Sequence, residues 1–449
     1  MEIKQFEDKS LAHFSYAVLS KGKVGLIDPG RNPLPYYEFA EQHNARIIAV
    51  IETHLHADFI SSPLEIHNKT GATIYISKLA GAAYPHQAFD GGDEIALGDI
   101  TLKSIQTPGH SPESISILAI NENGQAKAVF TGDTLFVGDC GRPDLRIQGR
   151  EIQAVLPRFA RQLYHSLHDR LMPLPDDIAV FPAHGKGSLC GKNLSQETSS
   201  TIGNEKINNW SLQHMDEDRF MSELLADLPF IPKYFPFDVT QNKTGAESFE
   251  SGISRIEIKN LSNCEEFTDS AIPGIPVIDS RMASRFRKTH FRNAINLMVD
   301  LRFETWLGSI INPKEKFYLI AENEAILNEL IERIAKIGYE KQIVGAYVSD
   351  CGNTKSEMMD IQEFHDKANT YTVIDVRNDS EVRAKNIFPD AMHIPLQELR
   401  ERIREIPLDK PILVHCAGGY RSAAGASIIA SAVPEKVRVY DFGDQVQLF

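Results

Sequence analysis

Short apolar runs, alternating or continuous and each ending at a turn, dominate the first part of the chain. Residues 11–28 alternate and then turn at Asp28-Pro29-Gly30, which predicts an antiparallel hairpin. Further strands are predicted at 47–51, 72–77, 93–106, 113–120, 126–132 and 178–181. Together with a predicted helix from Pro33 to Asn44, these strands indicate an α/β fold.

Histidine and aspartate occur where several of these predicted strands end. His54-Leu55-His56-Ala57-Asp58 follows the run at 47–51, and three later motifs are Thr-Pro-Gly-His110, Thr-Gly-Asp133 and Pro-Ala-His184-Gly. Imidazole and carboxylate groups together suit zinc, iron and manganese. An isolated His-x-His would be weak evidence, but the ordered series of motifs predicts a metal site.

This ordered series resembles the metallo-β-lactamase fold, which implies an N-terminal αβ/βα sandwich. In most dinuclear members of that fold, a further histidine follows the aspartate of the first motif and serves a second metal. Phe59 stands at that position and cannot bind a metal, so a mononuclear site is favoured.

The pattern is similar to the persulfide dioxygenase branch of the fold, because a Cys140-Gly141-Arg142 run after the Gly-Asp motif is typical of that branch. The resemblance implies one Fe(II) per chain, with open positions for O2 and a substrate sulfur. It implies that the iron ligands are His54, His110 and Asp133. Supporting roles beside the ligands are implied for His56, Asp58 and His184.

Two other residues near the predicted metal site are candidates for function. Arg142 is expected to clamp a substrate carboxylate, with a loop-stabilising ion pair as the alternative. Cys190 lies in a glycine-rich loop, where Lys186 and Lys192 are expected to lower the pKa of its thiol. We expect Cys190 to be catalytic at the mouth of the metal site, and a structural cysteine is the alternative.

A second chemical motif lies near the end of the chain, where an apolar run delivers Cys416 onto a short glycine-rich loop. The backbone N–H groups of such a loop and the following helix stabilise negative charge on sulfur, which predicts a reactive nucleophile rather than an inert buried cysteine. The loop and the upstream Asp375-Val376-Arg377 resemble rhodanese sulfurtransferases, and the loop is one residue shorter than that of related phosphatases. The resemblance implies sulfur transfer through Cys416, with Arg421 holding an anion. Substrate binding is expected at Gly418, Gly419 and Tyr420.

An earlier segment repeats this pattern without the cysteine. Val277-Ile278-Asp279-Ser280-Arg281 matches the segment at 373–377, which indicates duplication. Ala321 or Glu322 falls where the nucleophile would stand. We therefore expect two rhodanese-like α/β domains, the first of them degenerate. The predicted domains are 1–240, 256–350 and 360–449, with linkers at 228–245 and 351–362.

Net charge and cysteine content limit the kinds of partner and the cellular compartment that we expect for this protein. A net charge of -14 over 449 residues argues against nucleic acid and anionic membranes as partners. Five widely spaced cysteines without a Cys-x-x-Cys pair fit a reducing compartment. We see no secretory signal and no apolar run of the roughly 18 residues that are needed to span a bilayer, so we expect a cytoplasmic protein, and also a homo-oligomer.

The two resemblances together imply a sulfide-detoxifying enzyme. Its N-terminal domain would oxidise a low-molecular-weight persulfide with O2 to sulfite, and its C-terminal domain would transfer sulfane sulfur to sulfite, giving thiosulfate. Two alternatives stay open: a dinuclear zinc thioester hydrolase similar to glyoxalase II, and a non-catalytic sulfur carrier. The sequence does not identify the thiol that carries the substrate sulfur.

Overall fold

Two six-stranded sheets form the centre of the N-terminal part of the protein. The structure is a computed structural model that describes residues 1–146, 152–261 and 263–449. The first sheet has the strand order β1 to β6, with β1 (Glu2–Asp8), β2 (His13–Ser20), β3 (Lys23–Ile27), β4 (Arg46–Ile51), β5 (Thr73–Ile76) and β6 (Gln87–Ala88). The second runs from β12 back to β7, with β7 (Glu94–Leu97), β8 (Ile100–Gln106), β9 (Ile115–Ile120), β10 (Ala126–Gly132), β11 (Ala179–Pro182) and β12 (Ser200–Thr201).

Seven described helices accompany these two sheets. They are α1 (Leu34–Gln42), α2 (Pro63–Thr70), α3 (Ile152–His165), α4 (Ile202–Asn208), α5 (Glu217–Leu225), α6 (Phe235–Thr244) and α7 (Phe249–Ile253). Tyr16 and Phe130 pack in the core between the sheets, whereas Phe39 of α1 and Phe220 of α5 belong to cores on the outer faces. Strands buried on both faces read as nearly continuous apolar runs. The predicted αβ/βα sandwich is confirmed.

Two of the predicted elements differ in the structure. Residues 93–106 form two strands rather than one, because Gly98 with a φ of 62° makes the turn between β7 and β8. The proposed linker at 228–245 contains α6, and Tyr234 and Phe235 are each only 1% exposed. Its aromatic side chains therefore bury it within the first compact unit, which comprises residues 1–251 with 335–338.

The second compact unit, residues 252–334 with 339–449, contains two five-stranded parallel sheets. The first consists of β13 (Ile258–Asn260), β14 (Val277–Asp279), β15 (Ala294–Asn296), β16 (Phe317–Ala321) and β17 (Ile343–Val348). The second consists of β18 (Glu357–Met358), β19 (Thr372–Asp375), β20 (Met392–His393), β21 (Ile412–His415) and β22 (Val439–Asp441). Their helices are α8 (Cys264–Ser270), α9 (Ala283–Lys288), α10 (Phe303–Ile310), α11 (Glu324–Lys336), α12 (Ile361–Lys367), α13 (Asp379–Ala384), α14 (Leu399–Arg402) and α15 (Tyr420–Ala432). The proposed linker at 351–362 holds β18 and the start of α12.

The two parallel sheets have the same topology. Their strand orders, β13-β17-β16-β14-β15 and β18-β22-β21-β19-β20, place equivalent strands in equivalent positions. The matching segments also end in the same buried ion pair, since Arg281 binds Asp279 and Arg377 binds Asp375, each with an Nη2–Oδ2 distance of 2.6 Å. Duplication explains both similarities. Within the described residues, no helix is long and apolar enough to cross a membrane.

Candidate functional site

Loops at the ends of strands bring the predicted metal-site residues together. His54 follows β4, His110 lies between β8 and β9, Asp133 follows β10, and His184 follows β11. None of these residues is more than 2% exposed. The structure therefore collects four motifs that are far apart in sequence into one buried cluster.

His54, His110 and Asp133 present a coherent set of ligand atoms. His54 Nε2 lies 3.8 Å and His110 Nε2 lies 3.5 Å from Asp133 Oδ2. The ligand atoms of the three residues all lie within 4.8 Å of one another. The other nitrogen of each ring is engaged, because His54 Nδ1 is 3.0 Å from Thr53 Oγ1 and His110 Nδ1 is 2.8 Å from the Arg142 carbonyl oxygen. Both Nε2 atoms are thereby directed toward the carboxylate.

The chemistry of this set fits one divalent metal ion. Both carboxylate oxygens of Asp133 are buried without a hydrogen-bond partner among the described residues. A buried bare carboxylate is costly unless a cation compensates for its desolvation. Burial lowers the pKa of His54 well below its usual value and also lowers the pKa of His110, so both rings are neutral and able to bind a metal at neutral pH. Two imidazoles and one carboxylate match the face that binds non-haem Fe(II).

Close backbone packing fixes two of these ligands. A Cβ atom at Gly141 would overlap the backbone oxygen of Asp133 and would lie 3.0 Å from His110 Nδ1. The loop that carries the Cys-Gly-Arg run therefore approaches the ligands at a point where only glycine fits.

His56 faces away from this ligand set. Its Nε2 lies 3.3 Å from Asp28 Oδ1 and 3.8 Å from Glu52 Oε2. Burial alone would lower the pKa of His56, but the neighbouring Asp28 and Glu52 raise it to about 9. Phe59 covers this ring in a stacked arrangement, with ring centroids 4.3 Å apart. The supporting role expected for His56 stays a prediction.

Asp58 and His184 lie on the other side of Asp133. His184 Nε2 is 3.4 Å from Asp58 Oδ2 and 3.5 Å from Asp133 Oδ1. With His56 they form a second group of side chains that could hold an ion. The Phe59 side chain, which is 1% exposed, adds no ligand to this group.

Sequence reasoning missed three buried residues beside the site: His13, Asp28 and Glu52. The His13 ring lies 4.0 Å from Phe59 and 5.6 Å from His184 between centroids, and burial lowers its pKa well below the usual value. Glu52 is fully buried, and this burial raises its pKa to about 8. An acidic residue at the end of an apolar strand was the available signal for Glu52. His13 carries no local motif, because only the pairing of distant segments brings it here.

Arg142 does not offer a free guanidinium to a substrate. It is 1% exposed and makes two hydrogen bonds of 2.6 Å to Asp144, as well as one of 3.3 Å to the Leu189 carbonyl. The structure thus corrects the expected substrate clamp in favour of the loop-stabilising ion pair, while the Arg142 carbonyl orients His110. Nearby Arg146 keeps 17% of its side chain exposed while pairing with Glu113.

Cys190 lies inside the cluster rather than at its mouth. The residue is 1% exposed, and its sulfur groups with ligand atoms of Asp133 and His184. Lys192 is directed elsewhere, to the carbonyl oxygens of Glu223 and Ala226. Burial, together with the nearby Asp58 and Asp133, raises the pKa of the Cys190 thiol well above its usual value, so the expected lowering was wrong.

The second candidate site is the loop between β21 and α15. Gly419 adopts a φ of 97°, and its N–H donates to Cys416 Sγ at 3.1 Å. Arg421 is held in two hydrogen bonds by Glu381, and its guanidinium lies 5.8 Å from the centre of the Trp306 ring. Gly419 thus supplies one N–H to the sulfur, whereas the Arg421 guanidinium is engaged by Glu381, and the catalytic roles of Cys416 and Arg421 stay predictions.

The other predicted substrate contacts of this loop differ in accessibility. Gly418 is exposed and Gly419 is half-buried, so both backbone groups can reach a substrate. The Tyr420 hydroxyl instead donates to the Met298 carbonyl at 3.0 Å, and the residue is half-buried. Through this hydrogen bond Tyr420 connects the two parallel sheets of the second unit. Its role in substrate binding stays a prediction.

Two family models match the chain, one near each end. The metallo-beta-lactamase superfamily matches residues 10–184, and the rhodanese-like domain matches residues 360–444. A solved structure titled as a metallo-beta-lactamase from Staphylococcus aureus aligns with a TM-score of 0.69 and 30% identity, covering 77% of this chain and 98% of that one.

Two characterised relatives match the N-terminal part. The human mitochondrial persulfide dioxygenase ETHE1 is 34% identical over 174 residues, which is 38% of this chain and 63% of the relative. This chain therefore spans less than two thirds of that protein. A cytoplasmic hydroxyacylglutathione hydrolase from Arabidopsis thaliana is 30% identical over 237 residues, which is 51% of this chain and 82% of the relative.

Proposed function

This chain belongs to the metallo-β-lactamase superfamily, and from that premise we propose that it oxidises a low-molecular-weight persulfide with O2 and converts the resulting sulfite to thiosulfate. In the first reaction, R–S–SH, O2 and water give R–SH and sulfurous acid. In the second, the Cys416 thiolate takes the outer sulfur of a further R–S–SH, which releases R–SH, and the resulting Cys416 persulfide transfers that sulfur to sulfite, which regenerates the thiolate and yields thiosulfate.

The observation that carries this proposal is the position of Phe59 beside an intact set of His54, His110 and Asp133. The ring lies against His56 and His13 and supplies no ligand where a dinuclear site requires one. A second ion bound through His56, Asp58 and His184 would compete with the Asp28 contact that holds His56. One metal ion is the simplest occupancy of this geometry.

The residues around the site have separable tasks in this proposal. An Fe(II) ion held by His54, His110 and Asp133 would supply adjacent positions for O2 and the persulfide sulfur. The Arg142 carbonyl and Thr53 hydroxyl orient the two imidazoles.

Sulfur transfer is assigned to the Cys416 loop. A thiolate there receives an N–H hydrogen bond from Gly419, and the exposed backbone of Gly418 leaves a path for sulfite. In the first parallel sheet, only Glu322 and Asn323 separate β16 from α11, so no comparable ring of amides forms. We propose that this sheet, residues 256–350, is a degenerate rhodanese-like domain without sulfurtransferase activity.

Oxygen uptake by the full chain tests the proposal. The protein is stripped of metal, loaded with Fe(II) or Zn(II), and supplied with glutathione persulfide while O2, sulfite and thiosulfate are measured. Only the iron-loaded protein is expected to consume O2, with one O2 used per persulfide oxidised. Absence of O2 uptake by fully iron-loaded protein would exclude the dioxygenase.

A zinc thioester hydrolase is the second candidate, favoured by the His56, Asp58 and His184 group and by the hydroxyacylglutathione hydrolase relative. It predicts about two zinc ions per chain and hydrolysis of a hydroxyacylglutathione thioester without O2. Metal analysis of the purified chain, followed by the thioester assay, decides between the two candidates.

A further inference from the structure

Two cysteines of the second unit, Cys264 and Cys351, lie close together and belong to neither candidate site. Cys264 begins α8, and Cys351 follows the end of β17. Both pack against the same aromatic cluster, which includes Phe267 and Tyr318. Cys264 Sγ is 3.6 Å from the carbonyl oxygen of Gly352, the residue after Cys351.

These are the two cysteines that solvent can reach. Cys140, Cys190 and Cys416 are each at most 2% exposed, whereas Cys264 and Cys351 are only partly buried. A reagent that enters from solvent therefore meets this pair before any other thiol of the chain.

The surroundings give the two thiols different roles. The Ser349 hydroxyl donates to Cys351 Sγ at 3.2 Å, which stabilises a thiolate on Cys351. The Cys264 thiol donates to the Gly352 carbonyl, and burial together with the neighbouring Cys351 raises the pKa of Cys264. Cys351 is thus the better nucleophile, and Cys264 stays protonated until it reacts with a persulfide on Cys351.

The backbone around Cys351 is held firmly. His290 donates to the Thr354 carbonyl at 3.0 Å, and Asn353 donates to the His290 carbonyl at 2.9 Å. A Cβ atom at Gly352 would overlap the His290 backbone. Cys351 therefore stands at a fixed anchor, at the start of the segment that connects the two parallel sheets.

We propose that Cys264 and Cys351 form a redox-active pair that low-molecular-weight persulfides close into a disulfide. The Cys351 thiolate attacks the outer sulfur of R–S–SH, which releases R–SH and leaves Cys351–S–SH. The Cys264 thiolate then attacks the inner sulfur, which forms the Cys264–Cys351 bond and releases HS⁻. Two protein thiols are oxidised, and the sulfane sulfur of the persulfide is reduced to sulfide. A thiol reductant reopens the bond.

The closed pair ties α8 to the segment between the two sheets. A cross-link between positions so distant in sequence restricts the unfolded chain strongly, so closure is expected to raise the thermal midpoint of the second unit. The redox state of the Cys264–Cys351 pair would therefore depend on the concentration of persulfide, independently of oxidation at the metal site.

The experiment uses the full chain without O2, so that the dioxygenase activity proposed above cannot consume the persulfide. The result is therefore valid even if the chain proves to have no dioxygenase activity. Wild type, Cys264→Ser and Cys351→Ser are treated with glutathione persulfide, alkylated and digested. Wild type is expected to lose two hydrogen atoms and to yield a Cys264–Cys351 linked peptide. Cys264→Ser is expected to retain a persulfide on Cys351, and Cys351→Ser to show far less modification at Cys264.

The thermal midpoint provides the second measurement. It is expected to rise in treated wild type and to return after dithiothreitol, with no such change in either variant. If both thiols remain free to alkylation while Cys416 in the same sample becomes persulfidated, the pair is not redox-active and the proposal is wrong. Equal modification of Cys264 in Cys351→Ser would overturn the assigned order of attack.

Discussion

Asp133 is buried, and neither of its carboxylate oxygens accepts a hydrogen bond from the residues that the structure describes. Two buried imidazoles face it with their Nε2 atoms, while their Nδ1 atoms are engaged by other partners. Neutral rings cannot neutralise the carboxylate, whereas a divalent ion would satisfy all three groups at once. The cost of leaving this residue bare is the physical reason to expect a metal.

Replacing His54 tests this ligand set directly. His54→Ala removes one imidazole from a face of three ligands, so we expect loss of bound iron and at least a hundredfold loss of O2 uptake. Sulfur transfer from thiosulfate to an acceptor should persist, since Cys416 belongs to the other unit. Iron analysis and the two assays on one preparation measure all three quantities.

His214→Ala is the matched control, because His214 is an exposed histidine of the same unit. It should retain its iron and both activities. A His54→Ala protein that keeps full iron and full O2 uptake would show that the ligands lie elsewhere.

Gly141 provides a second test of the same centre through the backbone. Gly141→Ala places a methyl group against the Asp133 carbonyl and His110, which should displace a ligand and weaken iron binding at least tenfold. Gly124→Ala adds a methyl in open space at a φ of 74°, and thus carries backbone strain without a clash. Competition with a chelator compares them, and equal iron affinity in both variants would contradict the packing argument.

Sequence motifs located the ligand candidates because each follows an apolar strand within a short, recognisable segment. They failed for Arg142, whose partner Asp144 occupies the guanidinium, and for Cys190, whose burial outweighs its lysine neighbours. They also missed His13, which reaches the site through an isolated β-bridge to His184, far away in sequence. Whether a side chain is free to bind a substrate or is already engaged by another residue depends on tertiary contacts, which a linear motif does not contain.

At the scale of elements, an ion pair connects α13 to α15 beside the Cys416 loop. Burial alone would raise the pKa of Glu381, but its hydrogen bonds from Arg421 lower it below 4.5. Burial alone would likewise raise the pKa of Asp375, but the hydrogen bonds from Arg377 hold this pKa below 3.8. A carboxyl group whose pKa is lower in the folded than in the unfolded protein stabilises the fold at pH values above its unfolded-state pKa. This stabilisation is lost as the pH falls through its folded-state pKa.

We therefore expect the second unit to lose stability as the pH falls below about 4.5. Glu381→Gln removes one of these charges, so its unfolding free energy should depend less on pH in the same acid range. Urea unfolding followed at several pH values measures the difference. An unchanged pH dependence in Glu381→Gln would mean that the ion pair contributes nothing measurable to folding.

Elements were predicted best where the apolar pattern was long and regular, as at β4, β9 and β10. The pattern failed at Gly98, where a glycine turn divides one apolar run into two strands. It also failed at α6, whose Asn242 donates to the carbonyl oxygens of His56 and Phe59. A segment rich in proline and aromatic residues looked like a linker because its partners are residues far away in sequence.

At the scale of the whole molecule, repetition of sequence proved more informative than composition. The match between 277–281 and 373–377 anticipated two sheets of identical strand order. It could not anticipate that Tyr420 would join these sheets through Met298, since that contact depends on how two folded halves pack. The boundaries at 1–240, 256–350 and 360–449 stay a prediction, as does the homo-oligomer.

A single chain that both produces and consumes sulfite gains from the covalent link, because tethering raises the local sulfite concentration at the second site. Mixing two full-length variants breaks that link without removing either activity. His54→Ala keeps only sulfur transfer, and Cys416→Ser keeps only persulfide oxidation. At equal concentrations of each site, we expect the mixture to consume O2 as fast as wild type, yet to accumulate sulfite and form thiosulfate more slowly. The difference should shrink as protein concentration rises, and equal thiosulfate rates at every concentration would show that the fusion confers no coupling.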